Sequence, residues 1–259
     1  MNEYIITAAT DIGNVRGINQ DNFFCNGAFK SDMNKEKDVF TDKVGEKDRL
    51  LVAVFDGMGG LDNGELAAYI ASEITNRYGW MQQESPECII KRINNRMCEE
   101  SELSGKQLGS TCVFLEYSDG RFRSWNLGDS RAYWLHDGKL MQISYDHTER
   151  NTFEEVAQRA GLEIDTDTLS RNTLTQHLGV AEDDFVLEPF KSEWIMPEAG
   201  DAVLLCSDGL TEMLSDTEIQ KILTETEQGF QKSLNLKNAA KEKGGKDNIT
   251  VLNIDVAVR

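Results

Sequence analysis

The stretch "LLVAVFDGMGG", residues 50–60, limits what this chain can fold into more than any other. Leu50 to Phe55 are all apolar. A run this short and unbroken reads as a strand buried on both faces. It ends on Asp56 and a glycine-rich bend, Gly57-Met58-Gly59-Gly60. A turn explains that ending, and so does a metal site.

Other runs supply neighbours for such a strand. "YIITAATD" (4–11), "AVLLCSD" (202–208) and "NITVLNIDVAV" (248–258) read as strands, and residues 110–143 as a series of hairpins turning at Asp119-Gly120 and Asp137-Gly138. Residues 63–83 place Leu66, Ala67, Ile70, Ala71, Ile74 and Tyr78 on one helical face. Residues 85–103 open with Ser85 as N-cap and Pro86 at the first helical position. Further amphipathic helices are expected near 215–226 and 228–243. Residues 30–49 read as a loop or loose hairpin, and 144–175 as a flap holding the short helix "TFEEVAQRAG". Strand runs interrupted by paired helices, with no linker, repeat or βαβ alternation, predict an α+β sandwich in a single domain spanning 1–259.

A formal net charge of −18 disfavours nucleic acid and anionic lipid as partners, though it leaves room for divalent cations. Cys25, Cys88, Cys98, Cys112 and Cys206 are odd in number and lack CxxC spacing, so neither a disulfide framework nor a zinc ribbon is expected; most should sit in the core. No signal peptide is visible, and no apolar run approaches the ~20 residues of a membrane span. The expectation is a cytoplasmic, soluble, reduced protein.

Four Asp-Gly pairs occur. Those at 119–120 and 137–138 need no role beyond their turns. Asp56 and Asp208 differ, because each ends an apolar run, and Asp247 stands just before one. If the last strand runs antiparallel beside the others, three carboxylates meet at one edge of a sheet. Like charges so close need a cation, and all-oxygen ligation suits Mg2+ or Mn2+. Separate turns remain the other reading. His136, His147 and His177 lie outside these segments and read as surface or packing residues.

Taken together, "RGINQDN" (16–22), "VFDGMGG" (54–60), "GSTC" (109–112), "NLGDSRAY" (126–133), "LLCSDGLTE" (204–212) and "GGKDNITVLNI" (244–254) stand in the order and spacing of one family. The chain resembles the metal-dependent protein phosphatases (phosphatase 2C-like, PPM) of bacterial type, from about Thr7 to Val256. That resemblance implies a four-layer αββα sandwich of two antiparallel sheets flanked by helix pairs. It implies hydrolysis of phosphoserine and phosphothreonine in proteins, using two Mn2+ or Mg2+ ions. By motif, Asp56 bridges both metals, the Gly57 carbonyl reaches one, and Asp208 and Asp247 hold the other. Asp129 resembles a ligand of a weaker third metal. Asp21 supports the site, Asn248 fixes the Asp247 carboxylate, and Arg16 grips the phosphate. A hydroxide bridging the metals attacks phosphorus in line, with no phosphoenzyme.

Two departures from the pattern stand out. The family reads R-x-x-N-E-D near Arg16, whereas here the acidic position is Gln20, expected to meet a metal through water, whose neutral amide can still accept a hydrogen bond but adds no charge. Met58 replaces the histidine of the "DGHGG" relatives, so the leaving-group proton must come from water. Gln20 motivates an alternative, a pseudophosphatase that binds and senses a phosphoprotein. A metal hydrolase of another phosphoester, such as a nucleotide, is less attractive without a Gly-rich P-loop. The expected partners are a phosphoprotein and a cognate Ser/Thr kinase in signalling, and the expected state is a monomer.

Overall fold

The computed structural model describes residues 2–45, 49–58, 63–163, 165–166, 168–181, 186–227 and 229–258. Gly59 and Gly60 of the opening stretch lie outside the described residues. The strands are β1 (Asn2–Asp11), β2 (Asp21–Cys25), β3 (Ala28–Phe29), β4 (Lys37–Gly45), β5 (Leu51–Asp56), β6 (Cys112–Ser118), β7 (Arg121–Leu127), β8 (Arg131–His136), β9 (Lys139–Gln142), β10 (Phe190–Lys191), β11 (Ala202–Cys206) and β12 (Ile249–Val258). The helices are α1 (Gly64–Ile74), α2 (Pro86–Ser104), α3 (Glu149–Ala160), α4 (Asp208–Thr211), α5 (Asp216–Glu225) and α6 (Phe230–Glu242).

Two six-stranded sheets run β4-β1-β12-β11-β8-β9 and β10-β7-β6-β5-β2-β3. Every pairing within them is antiparallel. The alternation of side chains along a strand divides the apolar residues among three cores. Val52 and Val54 of β5 meet Val203 and Leu205 of β11 and Leu252 and Ile254 of β12 between the sheets. Leu51, Ala53 and Phe55 point the other way, against Ile70 of α1 and Ile90 and Ile93 of α2. Leu204 and Cys206 likewise face Ile219 of α5 and Leu236 of α6. An unbroken apolar run is thus the signature of a central strand with a layer on each side, as expected for 50–55. The result is the α+β sandwich, with helices covering both outer faces.

The hairpin turns follow their sequence. Asp119 (φ 51°) and Gly120 (φ 77°), and Asp137 (φ 49°) and Gly138 (φ 72°), take the left-handed pairs that two-residue hairpins require. Ser85 caps α2 by accepting from the Cys88 backbone N–H at 3.4 Å.

Three elements differ from expectation. Residues 37–45 are a nine-residue strand, rather than part of a loop or loose hairpin, paired with β1 from Glu3↔Gly45 to Asp11↔Lys37. β4 lies at a sheet edge, so backbone pairing holds it where apolar patterning does not. β2 escapes the apolar pattern because it opens on Asp21 and Asn22. The helix expected over 63–83 is α-helical only to Ile74 and continues as a π-helical turn, Thr75–Met81, whose Gly79 and Trp80 carbonyls accept from the Arg49 guanidinium. Cys25, Cys112 and Cys206 are buried as expected, while Cys88 is exposed. Among the described residues no helix is long and apolar enough to cross a membrane.

α6 is fastened to its sheet by charge as well as packing. The Lys232 ammonium donates to Asp255 Oδ1 at 2.6 Å, and the Gly229 N–H donates to Oδ2 at 2.7 Å, with both side chains buried. Lys232→Ala leaves the Asp255 carboxylate without its cation and is expected to cost about 3–5 kcal/mol. Urea denaturation followed by circular dichroism measures this, and a change under 1 kcal/mol would contradict it.

Candidate active site

Asp56 is the last residue of β5 and sits opposite Asp21, the first residue of β2. Two carboxylates therefore start side by side on neighbouring strands. Asp21 is fully buried. Its Oδ2 accepts from Ser207 Oγ at 2.8 Å and from Thr250 Oγ1 at 2.7 Å. Those hydroxyls stand at the end of β11 and near the start of β12, so Asp21 ties one sheet to the other. Its Oδ1 is buried and has no hydrogen-bond partner.

The backbone around these acids is packed to contact. A Cβ on Gly57 would lie 2.0 Å from the Gly64 carbonyl oxygen and 2.7 Å from that of Gln20. A Cβ on Gly209 would lie 1.9 Å from the Asn248 carbonyl oxygen. The glycine after Asp56 and the one after Asp208 are thus needed for close approach of two chain segments. The "GSTC" segment secures the end of β5: Ser110 Oγ and the Thr111 N–H both donate to the Asp56 carbonyl at 2.9 Å, and the Met58 N–H donates to Gly109 O at 3.0 Å.

Asp208 opens α4 just after its N-cap, Ser207. Antiparallel pairing of β11 with β12 brings Asp247 to the same end of the sandwich. The meeting point is not the edge of one sheet, as the sequence suggests. Asp56 and Asp21 come from one sheet and Asp208 and Asp247 from the other, so the acids gather where the two layers face each other. Asp56 and Asp208 lie close enough to shift each other's protonation. Asp208 Oδ1 is buried without a partner. Asp129 joins from the β7–β8 connection and lines, with Asp208 and Glu212, a cavity of about 290 Å3.

The electrostatics follow from this crowding. Burial pushes Asp56 well above the usual carboxylate range, and Asp21 and Asp208 push it further. Burial does the same to Asp208, with Asp129 next. Asp21 is raised to about 6 by burial, against the pull of Thr250 and Ser207. Asp129 is raised to about 6 by burial and by Asp146. Buried carboxylates that repel one another and leave oxygens without donors fit divalent cations held by oxygen.

Asp247 is held differently. Its Oδ2 accepts from Arg16 Nη2 at 2.5 Å and its Oδ1 from the Asn248 N–H at 2.8 Å. Among the described residues, no three Asp, Glu, His or Cys side chains close on one point as a finished cage. Asp56 and Asp208 act on each other's protonation, while Asp247 faces the guanidinium. The Asn248 side chain turns away from Asp247: its amide donates to Ile12 O and Ile18 O, and its Oδ1 accepts from the Gln20 N–H at 2.8 Å. It therefore holds the loop that carries Arg16, and only its backbone N–H reaches the Asp247 carboxylate. Gln20 donates its side-chain amide to Glu65 Oε2 at 3.2 Å.

Several residues here had no sequence signal. Ser207 and Thr250 sit inside recognisable motifs yet look like ordinary strand-end residues. Lys30, buried and donating to Asn19 O at 2.7 Å, looks like a surface lysine. His136 is bonded to Asp201 at 2.9 Å, and the buried His147 bonds the Gly128 carbonyl at 3.2 Å, so both are engaged in packing contacts.

The sequence model of the family described as "Protein phosphatase 2C" matches residues 32–242. The serine/threonine phosphatase stp of Listeria monocytogenes is 30% identical over 264 residues, covering 95% of this chain and 93% of that protein. The crystal structure of the Mycobacterium tuberculosis serine/threonine phosphatase PstP/Ppp is similar with a TM-score of 0.74 and 25% identity, covering 98% of this chain and 100% of that one. The catalytic domain of PstP in complex with 2 manganese ions gives a TM-score of 0.72 at 25% identity over 98% and 100% of the two chains.

In metal-free protein, raised carboxylates hold protons that the unfolded chain has already released, so each lowers stability as pH climbs from about 4 through about 6 and beyond. Asp208→Asn is therefore expected to raise the melting temperature in EDTA at about pH 7.5 and to change it little at about pH 4. Thermal denaturation of both proteins across that range is the measurement, and equal melting temperatures throughout would refute the reading.

Proposed function

The chain belongs to the protein phosphatase 2C family, and on that premise we propose that it removes phosphate from phosphoserine and phosphothreonine in proteins with the help of two divalent cations. The observation that carries this reading is the pair of buried, donorless carboxylate oxygens, Asp208 Oδ1 and Asp21 Oδ1, beside the mutually repelling Asp56. In this reading Asp56, the Gly57 carbonyl, Asp208 and Asp247 hold two ions, Mn2+ or Mg2+, and Asp129 holds a weaker third. The manganese-bound PstP structure supports that choice of metal. When bound, the ions neutralise the carboxylates and make an attacking hydroxide available near neutral pH.

The remaining steps belong to the chain's own residues. Arg16 presents a half-exposed guanidinium, already raised by its bond to Asp247 and by the fields of Asp208 and Asp56. Its planar fork suits a phosphate dianion. Asn248 keeps that guanidinium in place through Ile12, Ile18 and Gln20. Asp21 keeps the two sheets in register behind the site. Met58 has no proton to give, so the leaving alkoxide takes its proton from water. No Ser or Cys nucleophile is needed if hydroxide attacks phosphorus directly.

The whole chain acts as one catalytic unit in this proposal, with residues 144–175 as a flap beside the Asp129 cavity. Arg171 and Asn172 line that cavity, and Asn172 Nδ2 donates to Glu212 Oε1 at 3.1 Å. A phosphoprotein substrate requires a Ser/Thr kinase that makes it, which places the chain in signalling. The buried thiols of Cys25, Cys112 and Cys206 support a reducing, cytoplasmic setting, where a monomer suffices.

Hydrolysis of a phosphothreonine peptide with and without Mn2+ tests the reading. Asp208→Ala should remove most of the metal-dependent turnover. Arg16→Ala should lower kcat/KM by about 10²–10³, the scale of losing one preorganised partner of transition-state charge. Wild-type protein inactive with Mn2+ from about pH 7 to pH 9 would overturn catalysis. Retained phosphopeptide binding without turnover would then favour a phosphoprotein sensor.

A further inference from the structure

Gln20 leaves the candidate site one carboxylate short of its family pattern, yet its side chain is in contact with a carboxylate. Gln20 Nε2 donates to Glu65 Oε2 at 3.2 Å. Glu65 lies in the first turn of α1, directly after Gly64. A Cβ on Gly64 would fall 2.8 Å from both the Gly57 carbonyl oxygen and Gln20 Nε2. The start of α1, the Gly57 carbonyl and the Gln20 amide therefore form one contact group. The buried Lys30 ammonium feels the charges of both Asp21 and Glu65, which puts Glu65 in the same charge system as the site. Among the described residues no other hydrogen-bond donor reaches the Glu65 carboxylate.

We propose that Glu65 is the carboxylate that balances the cation held by Asp56 and the Gly57 carbonyl, supplying the charge that Gln20 does not bring, while Gln20 is the amide that aims it. This rests on the metal-dependent reading above. In this proposal the charge sits at a helix start, one hydrogen bond away from the loop residue Gln20. Glu65 need not touch the ion. A negative group held beside the Gln20 amide and the start of α1 would act on a bound cation through its field and through the groups it orients.

A purely local role for Glu65 predicts something different. An acidic residue in the first turn stabilises a helix through the peptide dipoles. Its loss would then lower the melting temperature in EDTA and leave metal affinity untouched.

Calorimetric titration with Mn2+ separates the two. Glu65→Gln is expected to weaken binding of one ion by about 10–100-fold, the usual effect of removing a group that supports a metal ligand, with little change in melting temperature in EDTA. Gln20→Glu placed in the Glu65→Gln background is expected to restore affinity, because the charge returns on the other side of the same hydrogen bond. Wild-type affinity in Glu65→Gln, or no recovery in the double variant, overturns the proposal. Should Glu65→Gln fail to fold, Gln20→Leu is read instead: removing the aiming amide should weaken Mn2+ binding, and wild-type affinity overturns the proposal. Asp208→Ala is the control that distinguishes failures. If wild-type protein binds no Mn2+, the metal reading falls and this proposal with it. If Asp208→Ala loses binding while Glu65→Gln keeps it, only the role of Glu65 falls.

Discussion

The Asp21 carboxylate holds together what the rest of the site requires. It is buried, belongs to one sheet, and takes its two hydrogen bonds from hydroxyls of the other, Ser207 and Thr250. A buried carboxylate is tolerable only when such donors meet it. The donors sit one residue before Asp208 and three after Asp247 in sequence. Any slip of one sheet over the other would break these bonds and separate the acids at once. The sandwich is therefore fixed at the end where its acids lie, and the apolar residues between the sheets supply the bulk of the attraction.

Glycine does the complementary task. Gly57 and Gly209 each let a backbone carbonyl approach where a side chain would collide. Together with the hydroxyl bonds, they bring like charges into contact against their repulsion. The energy for that comes from three apolar cores, because β5 and β11 each serve a core on both faces. The site is thus strained electrostatically and anchored hydrophobically. Such crowding persists in a protein only where surrounding packing over-determines it.

Much of this was legible in the sequence. Asp56 and Asp208 stand out because a both-sides-buried strand fixes where its last residue emerges, and Asp247 because it precedes such a strand. Asp-Gly turns and the Ser-Pro helix start follow from local backbone preference, and the structure agrees. What sequence patterning could not show depends on neighbours far along the chain. β4 is mostly polar because it is an edge strand held by the backbone of β1, sending only Phe40 and Val44 towards the inter-sheet core. Asn248 looks like a partner of Asp247, but its side chain is drawn to carbonyls in the 12–18 loop that only the fold brings close. The two-sheet origin of the acids is a matter of layer stacking, which no strand encodes alone. Glu65 passes for an ordinary first-turn acid until Gln20 is seen beside it.

The Arg16–Asp247 contact has a consequence for selectivity. A guanidinium that already holds an anion is not an open receptor but an exchanger. An incoming group must offer more than the single carboxylate oxygen bonded to Nη2. Chloride or a backbone carbonyl gains little from the trade, and a side-chain carboxylate, though it can meet two N–H groups, brings no more charge than Asp247 already does. A tetrahedral dianion can meet two guanidinium N–H groups at once and carries twice the charge. If Arg16 binds the phosphate as proposed, the protein's own carboxylate sets the threshold that a ligand has to exceed, in a chain whose net charge is −18.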